Sequence, residues 1–171
     1  MLMKCFLMLA LLLTGGVHAS TWDDIAALDA LKMQAAREKD KPVVARWFRL
    51  SNGRQVNLNH WKLVLFMQSA CVYCQHFDPM LRQFSAESGL SVFPYSLDGQ
   101  GDAAYPHALP VPPAVMAEFF QQGMPIATPT TFLVNVNTME TFPLMQGAVD
   151  RPGLVARLDD VFQMALNKGM K

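Results

Sequence analysis

Cys71 and Cys74 stand three residues apart in a Cys-Val-Tyr-Cys run, a spacing suited to thiol–disulfide exchange. That chemistry needs an accessible thiolate to attack and a second thiol close enough to resolve the mixed disulfide. The apolar stretch Leu63-Val64-Leu65-Phe66-Met67 precedes the pair and a helix-forming segment starts at Val72. A strand buried on both faces is therefore expected to turn into a helix at Cys71. There, unpaired backbone N–H groups and the positive end of the helix dipole favour the thiolate. Cys71 is read as the attacking thiol and Cys74, one turn further in, as the resolving one. With only Val72 and Tyr73 between them, the expected thiolate pKa is about 5 to 7, with a reduction potential between roughly −270 and −120 mV.

Competing readings of the pair are weaker. A structural zinc site takes four ligands, usually in two pairs, whereas His60, His76 and His107 are scattered. Haem attachment wants histidine after the second cysteine, where this chain has Gln75. A stapling disulfide closing so short a loop removes little chain entropy. No metal and no cofactor are expected. His76 is a candidate proton-transfer group, weighed against an ordinary solvated helix histidine.

The compartment follows from the N-terminus. Lys4 precedes a short apolar run to Leu13, and Val17-His18-Ala19 ends in small residues, the pattern of a secretory signal over residues 1–19. The run is too short to span a bilayer. Removal of the signal would take Cys5 with it and leave Cys71 and Cys74 in a compartment where disulfides form and persist. Fourteen basic residues balance fourteen acidic ones, which argues against nucleic acid as a partner. The 171 residues, 51% hydrophobic and 16% charged, suffice for one domain with a real core.

Hydrophobic period and turn residues mark out the elements around the cysteines. Ile25, Leu28, Leu31, Met33 and Ala35 recur at near-helical spacing and predict an amphipathic helix over 22–39, ending before Pro42. Segments 43–50 and 55–58 flank Ser51-Asn52-Gly53 and predict an edge hairpin. After the strand at 62–67 comes a helix with Phe77, Leu81 and Phe84 inward, kinked at Pro79 and closed at Gly89. A strand at 90–97, a Gly- and Pro-rich loop at 98–113 and a short helix at 114–122 follow. Strands at 130–136 and 140–145 pair antiparallel, and a final helix at 151–166 turns Leu154, Leu158, Val161, Phe162 and Leu166 inward. The fold class is α/β: a central mixed sheet with helices on both faces and an N-terminal helix and hairpin extension. The expected divisions are a signal at 1–19, the extension at 20–60 and the main domain at 61–171.

Cys71-Val72-Tyr73-Cys74 after an apolar strand, together with Thr128-Pro129-Thr130 before another, resembles the thioredoxin superfamily over residues 62–166. The resemblance implies a thioredoxin-like fold, a cis-proline at Pro129 and a client peptide received by Thr128 and Pro129, beside Val72 and Tyr73. Tyrosine in the third motif position and threonine before the proline are similar to the periplasmic Dsb branch. Over its length, the chain resembles the thiol-disulfide isomerases of F-type conjugative transfer systems. That implies disulfide-containing clients of transfer and pilus assembly, and a membrane thiol-redox partner of the DsbD or DsbB type. Net disulfide oxidation, dedicated reduction and a non-enzymatic assembly role remain as alternatives. Two departures stand out. Many thioredoxins carry a buried carboxylate six residues before the first cysteine, where this chain has Leu65. Residues 20–60 are also too few for a separate dimerisation domain, so a monomer or a differently built dimer is expected.

Overall fold

The computed structural model describes residues 21–39, 44–120 and 123–170. The expected signal and Cys5 lie outside the described residues. The chain divides into two compact units, Met1–Val43 and Val44–Lys171. In the first, α1 spans Thr21–Lys39, with Ile25, Leu28, Leu31 and Met33 all exposed. None of the described helices is long and apolar enough to cross a membrane.

The second unit opens with β1 (Trp47–Arg49) and β2 (Gln55–Asn57), an antiparallel pair. They form a two-stranded sheet of their own rather than the edge of the main one, a correction to the expected edge hairpin. The physical reason is that Leu50, Val56 and Leu58 drop into the main core, so the hairpin packs through its side chains and not by backbone pairing. It belongs to the second unit.

The main sheet has the order β5-β4-β3-β6-β7. Its centre is β3 (Trp61–Met67), parallel to β4 (Ser91–Ser96) and antiparallel to β6 (Thr130–Asn135). The outer strands are β5 (Leu109–Pro110) beside β4 and β7 (Thr141–Gln146) beside β6. Alternation along β3 divides the core in two, as a pleated strand covered on both faces must. Leu63, Leu65 and Met67 face α2 (Val72–Ser88) and α4 (Arg151–Asn167), while Val64 and Phe66 meet Phe132, Val134 and Phe119 on the side of α3 (Pro113–Phe119). A mixed sheet with helices on both faces and a Cys-x-x-Cys at the β3–α2 junction is a thioredoxin-like fold.

The stretch from Asp98 to Pro112 is more ordered than its composition suggests. Ala104 and Ala108 are buried, the Arg82 guanidinium donates to the Ala104 carbonyl at 3.1 Å, and Leu109 and Pro110 add a short strand to β4.

Candidate active site

Helix α2 starts where β3 releases the chain, and Cys71 is its N-cap. Its sulfur occupies the place of a capping oxygen: the Cys74 backbone N–H donates to Cys71 Sγ at 3.2 Å. The approach from β3 is pinned by Asp98, whose carboxylate accepts from Ser69 N and Ser69 Oγ, both at 2.8 Å, and from Ser96 Oγ at 2.7 Å. Gln75 adds a bond from its side chain to the Ser69 carbonyl at 3.1 Å. The two ends of the junction are thereby tied before the first cysteine.

Both cysteines are free thiols; Cys71 is half-buried and Cys74 is 0% exposed. Burial pushes the Cys71 thiol up, but hydrogen bonding with the Cys74 and Thr128 side chains and the backbone of Cys74 and Tyr73 outweighs it and holds the pKa below the ordinary thiol value. Cys74 goes the opposite way. Burial, the hydrogen bond with Cys71 and the Asp78 charge push it up to about 12.

Across from Cys71 lies the turn into β6. The Thr128–Pro129 peptide is cis. The Cys71 thiol donates to the Thr128 carbonyl at 3.4 Å, and Thr128 Oγ1 donates to Gln68 Oε1 at 3.0 Å. Val72 and Tyr73 project outward, 62% and 68% exposed. The structure therefore gathers Cys71, Cys74, Thr128 and Pro129 at one end of the central strands, with Val72 and Tyr73 on the rim.

Of the two positions tied to proton transfer, one holds an apolar residue and the other faces outward. Leu65 is fully buried in the core between the sheet and its helices. His76 is exposed, and its Nδ1 is paired with the Val72 carbonyl at 2.7 Å, which turns the ring onto the outer surface of its own helix. The titratable group next to the cysteines is instead Asp78, a residue outside the expected site. It is 0% exposed and shares the inward face of α2 with Cys74, Phe77, Leu81 and Phe84. Burial, then the Asp102 carboxyl and the Cys71 charge, push it up to about 8. A signal was present: relative to Cys74, the positions +3, +4, +7 and +10 define one helical face, and Asp78 is its only charged member.

Among the described residues no cluster of histidine, cysteine and carboxylate side chains could hold a metal ion. What the arrangement supports is exchange between its two thiols and an outside disulfide: a stabilised, accessible thiolate backed by a buried, protonated partner.

Residues 55–158 match the family described as TraF: F plasmid transfer operon protein. The chain belongs to the TraF family. The match runs from β2 into α4 and so takes in the whole candidate site. Among curated relatives, Protein TrbB from Escherichia coli (strain K12) is 54% identical over 175 residues, covering 95% of this chain and 94% of its own. Solved structures with partial likeness include StoA from Bacillus subtilis, at 17% identity, 68% of this chain, 99% of that one and a TM-score of 0.41. MTB dsbF has 13% identity, 67% and 93% coverage, and a TM-score of 0.44. At those scores neither bears on what this TraF-family chain does.

Proposed function

We propose that this chain is a periplasmic thiol–disulfide oxidoreductase that acts chiefly as a disulfide isomerase on proteins of a conjugative transfer and pilus-assembly apparatus. The observation that carries the reading is the opposed titration of the two thiols. A Cys71 thiol held below the ordinary thiol pKa is the readier of the two to ionise and attack, whereas a Cys74 pushed up to about 12 holds its proton. Burial, the largest cause of the Cys74 shift, persists in the mixed disulfide and delays closure, which leaves a client thiol time to rearrange it. A fast resolving thiol would give net reduction instead. Thr128, Pro129, Val72 and Tyr73 form the surface on which the client segment lies, and family membership supports the transfer setting. Export, the membrane redox partner and clients within the transfer apparatus belong to the same proposal.

A Cys74→Ser variant, expressed in cells that carry the transfer system, should accumulate disulfide-linked complexes through Cys71, and the wild-type chain should recover activity from a scrambled disulfide protein. Absence of trapped complexes, together with full transfer activity of a Cys71→Ser, Cys74→Ser double variant, would leave only a non-enzymatic assembly role. Net oxidation of a reduced client without rearrangement would point to an oxidant and equally overturn the isomerase reading.

A further inference from the structure

Resolution of a mixed disulfide requires Cys74 to lose a proton in a place that water does not reach. Asp78 stands four residues on along α2, one helical turn away on the same buried face. Neither of its carboxylate oxygens has a hydrogen-bond partner, a costly state for an ionised carboxylate. The group that faces it is a second carboxyl, Asp102, with which it bonds only when one of the two carries a proton. Asp102 is half-buried and is set by its own loop, accepting from Tyr105 N at 2.6 Å. That loop is tight: a Cβ on Gly101 would lie 2.4 Å from the Tyr105 carbonyl oxygen. The Tyr105 hydroxyl is buried without a partner, and its pKa is raised by burial and then by the charges of Asp78 and Asp102. The cation in the cluster, Arg82, is turned to the Ala104 carbonyl. The titratable groups that interact with Asp78 are thus Cys71, Cys74, Asp102 and Tyr105, and Arg82 acts on Tyr105.

We propose that Asp78 and Asp102 form a two-carboxyl relay that carries the Cys74 thiol proton from the buried end of the site to solvent, and that the charge on Cys71 times it. The inference rests on the exchange chemistry proposed above and adds the residues that gate its second half. In the first half the Cys71 thiolate attacks one sulfur of a client disulfide. A Cys71–client disulfide forms, and the other client sulfur leaves as a thiolate that takes a proton from water. The negative charge on Cys71, which had opposed ionisation of Asp78, is then gone. Asp78 gives its proton to solvent through Asp102 and accepts the one on Cys74. The Cys74 thiolate attacks Cys71 Sγ, the Cys71–Cys74 disulfide forms, and the second client sulfur departs and is protonated. Two electrons pass from the cysteine pair to the client. When a client thiolate attacks the mixed disulfide first, no net electrons pass and the product is an isomerised client.

Rapid mixing of the reduced full chain with dithiobis-nitrobenzoate separates the two halves, because the first thionitrobenzoate reports attack by Cys71 and the second reports closure by Cys74. In the wild type the second phase should accelerate with the ionisation of Asp78. Asp78→Asn should slow it by about 10²-fold near neutral pH, the range for loss of a positioned base. Asp78→Glu should restore a pH-dependent second phase, and Asp102→Asn should move its midpoint to lower pH by removing the facing charge. An Asp78→Asn variant with the wild-type rate and pH profile in its second phase, or an Asp102→Asn variant with an unmoved midpoint, overturns the relay while dithiol exchange stands. A wild-type chain that releases no second equivalent overturns both.

Discussion

Thiols as close as Cys71 and Cys74 cannot both ionise cheaply, and the fold decides which one does. Cys71 caps α2, so backbone N–H groups that would be orphaned at a helix start solvate its sulfur. Cys74 sits one turn deeper, away from water and beside a carboxyl, and keeps its proton up to about pH 12. Alkylation of the reduced chain with iodoacetamide, followed residue by residue with mass spectrometry, should show Cys71 modified at a lower pH than a free cysteine and Cys74 silent through the neutral range. Each unit of lowered pKa raises the thiolate fraction about tenfold below the pKa and reduces intrinsic nucleophilicity by roughly threefold, so the net rate rises. Equal rates for the two thiols would contradict the assigned roles. The cysteine asymmetry was legible in the sequence because it depends on position along a helix. Asp78 was less legible, because one aspartate on a helical stripe does not show its burial until the loop that carries Asp102 and Tyr105 is in place.

At the scale of elements, the site depends on how β3, α2 and the loop after β4 are joined. Asp98 is the joint: it accepts from Ser69, Ser96 and the Gln100 backbone, and these bonds, outweighing some loss of solvation, lower its pKa to about 2. Its pKa is depressed in the folded chain, so its contribution is present above the ordinary aspartate value near 4 and is lost as pH falls through about 2. An Asp98→Ala variant should therefore be less stable than the wild type at neutral pH, and the gap should narrow as urea midpoints are compared from pH 5 towards 2. A gap that keeps its size throughout would mean that the carboxylate charge is not what ties the junction. The regular elements around this joint were readable from hydrophobic period: an unbroken apolar run for β3, the Phe77, Leu81, Phe84 spacing for α2, and the Leu154 to Phe162 stripe for α4. The early hairpin was readable as a hairpin but not as a separate sheet, since pairing with a distant strand leaves no local trace. The order of residues 98–112 was hidden for the same reason: its hydrogen-bond partners Ser69 and Arg82 lie on other elements.

For the molecule as a whole, Asp78 is a liability that the rest of the core has to offset. Its carboxyl titrates near 3.8 in an unfolded chain and at about 8 in the folded one. A pKa raised on folding means that the folded state holds the proton more tightly. The stability this confers is complete below pH 4 and is lost progressively as pH climbs towards 8. At about 1.4 kcal/mol for each unit, the loss by pH 7 is on the order of 2–4 kcal/mol, a large share of the roughly 5–15 kcal/mol that holds a domain together. An Asp78→Asn variant keeps the shape of the side chain and cannot ionise. Comparison of the reduced proteins by urea unfolding should find it more stable than the wild type by about 2–4 kcal/mol at pH 7 and close to it at pH 4. Asp98 and the carboxylates that do not touch Asp78 are common to both proteins and cancel in the difference. A stability difference that does not grow between pH 4 and 8 would show that Asp78 is ionised or solvated in the folded chain. The expected outcome ties the cost to the site: the variant that is more stable at neutral pH is also the one in which Cys74 closes more slowly, a trade of stability for function at a buried group.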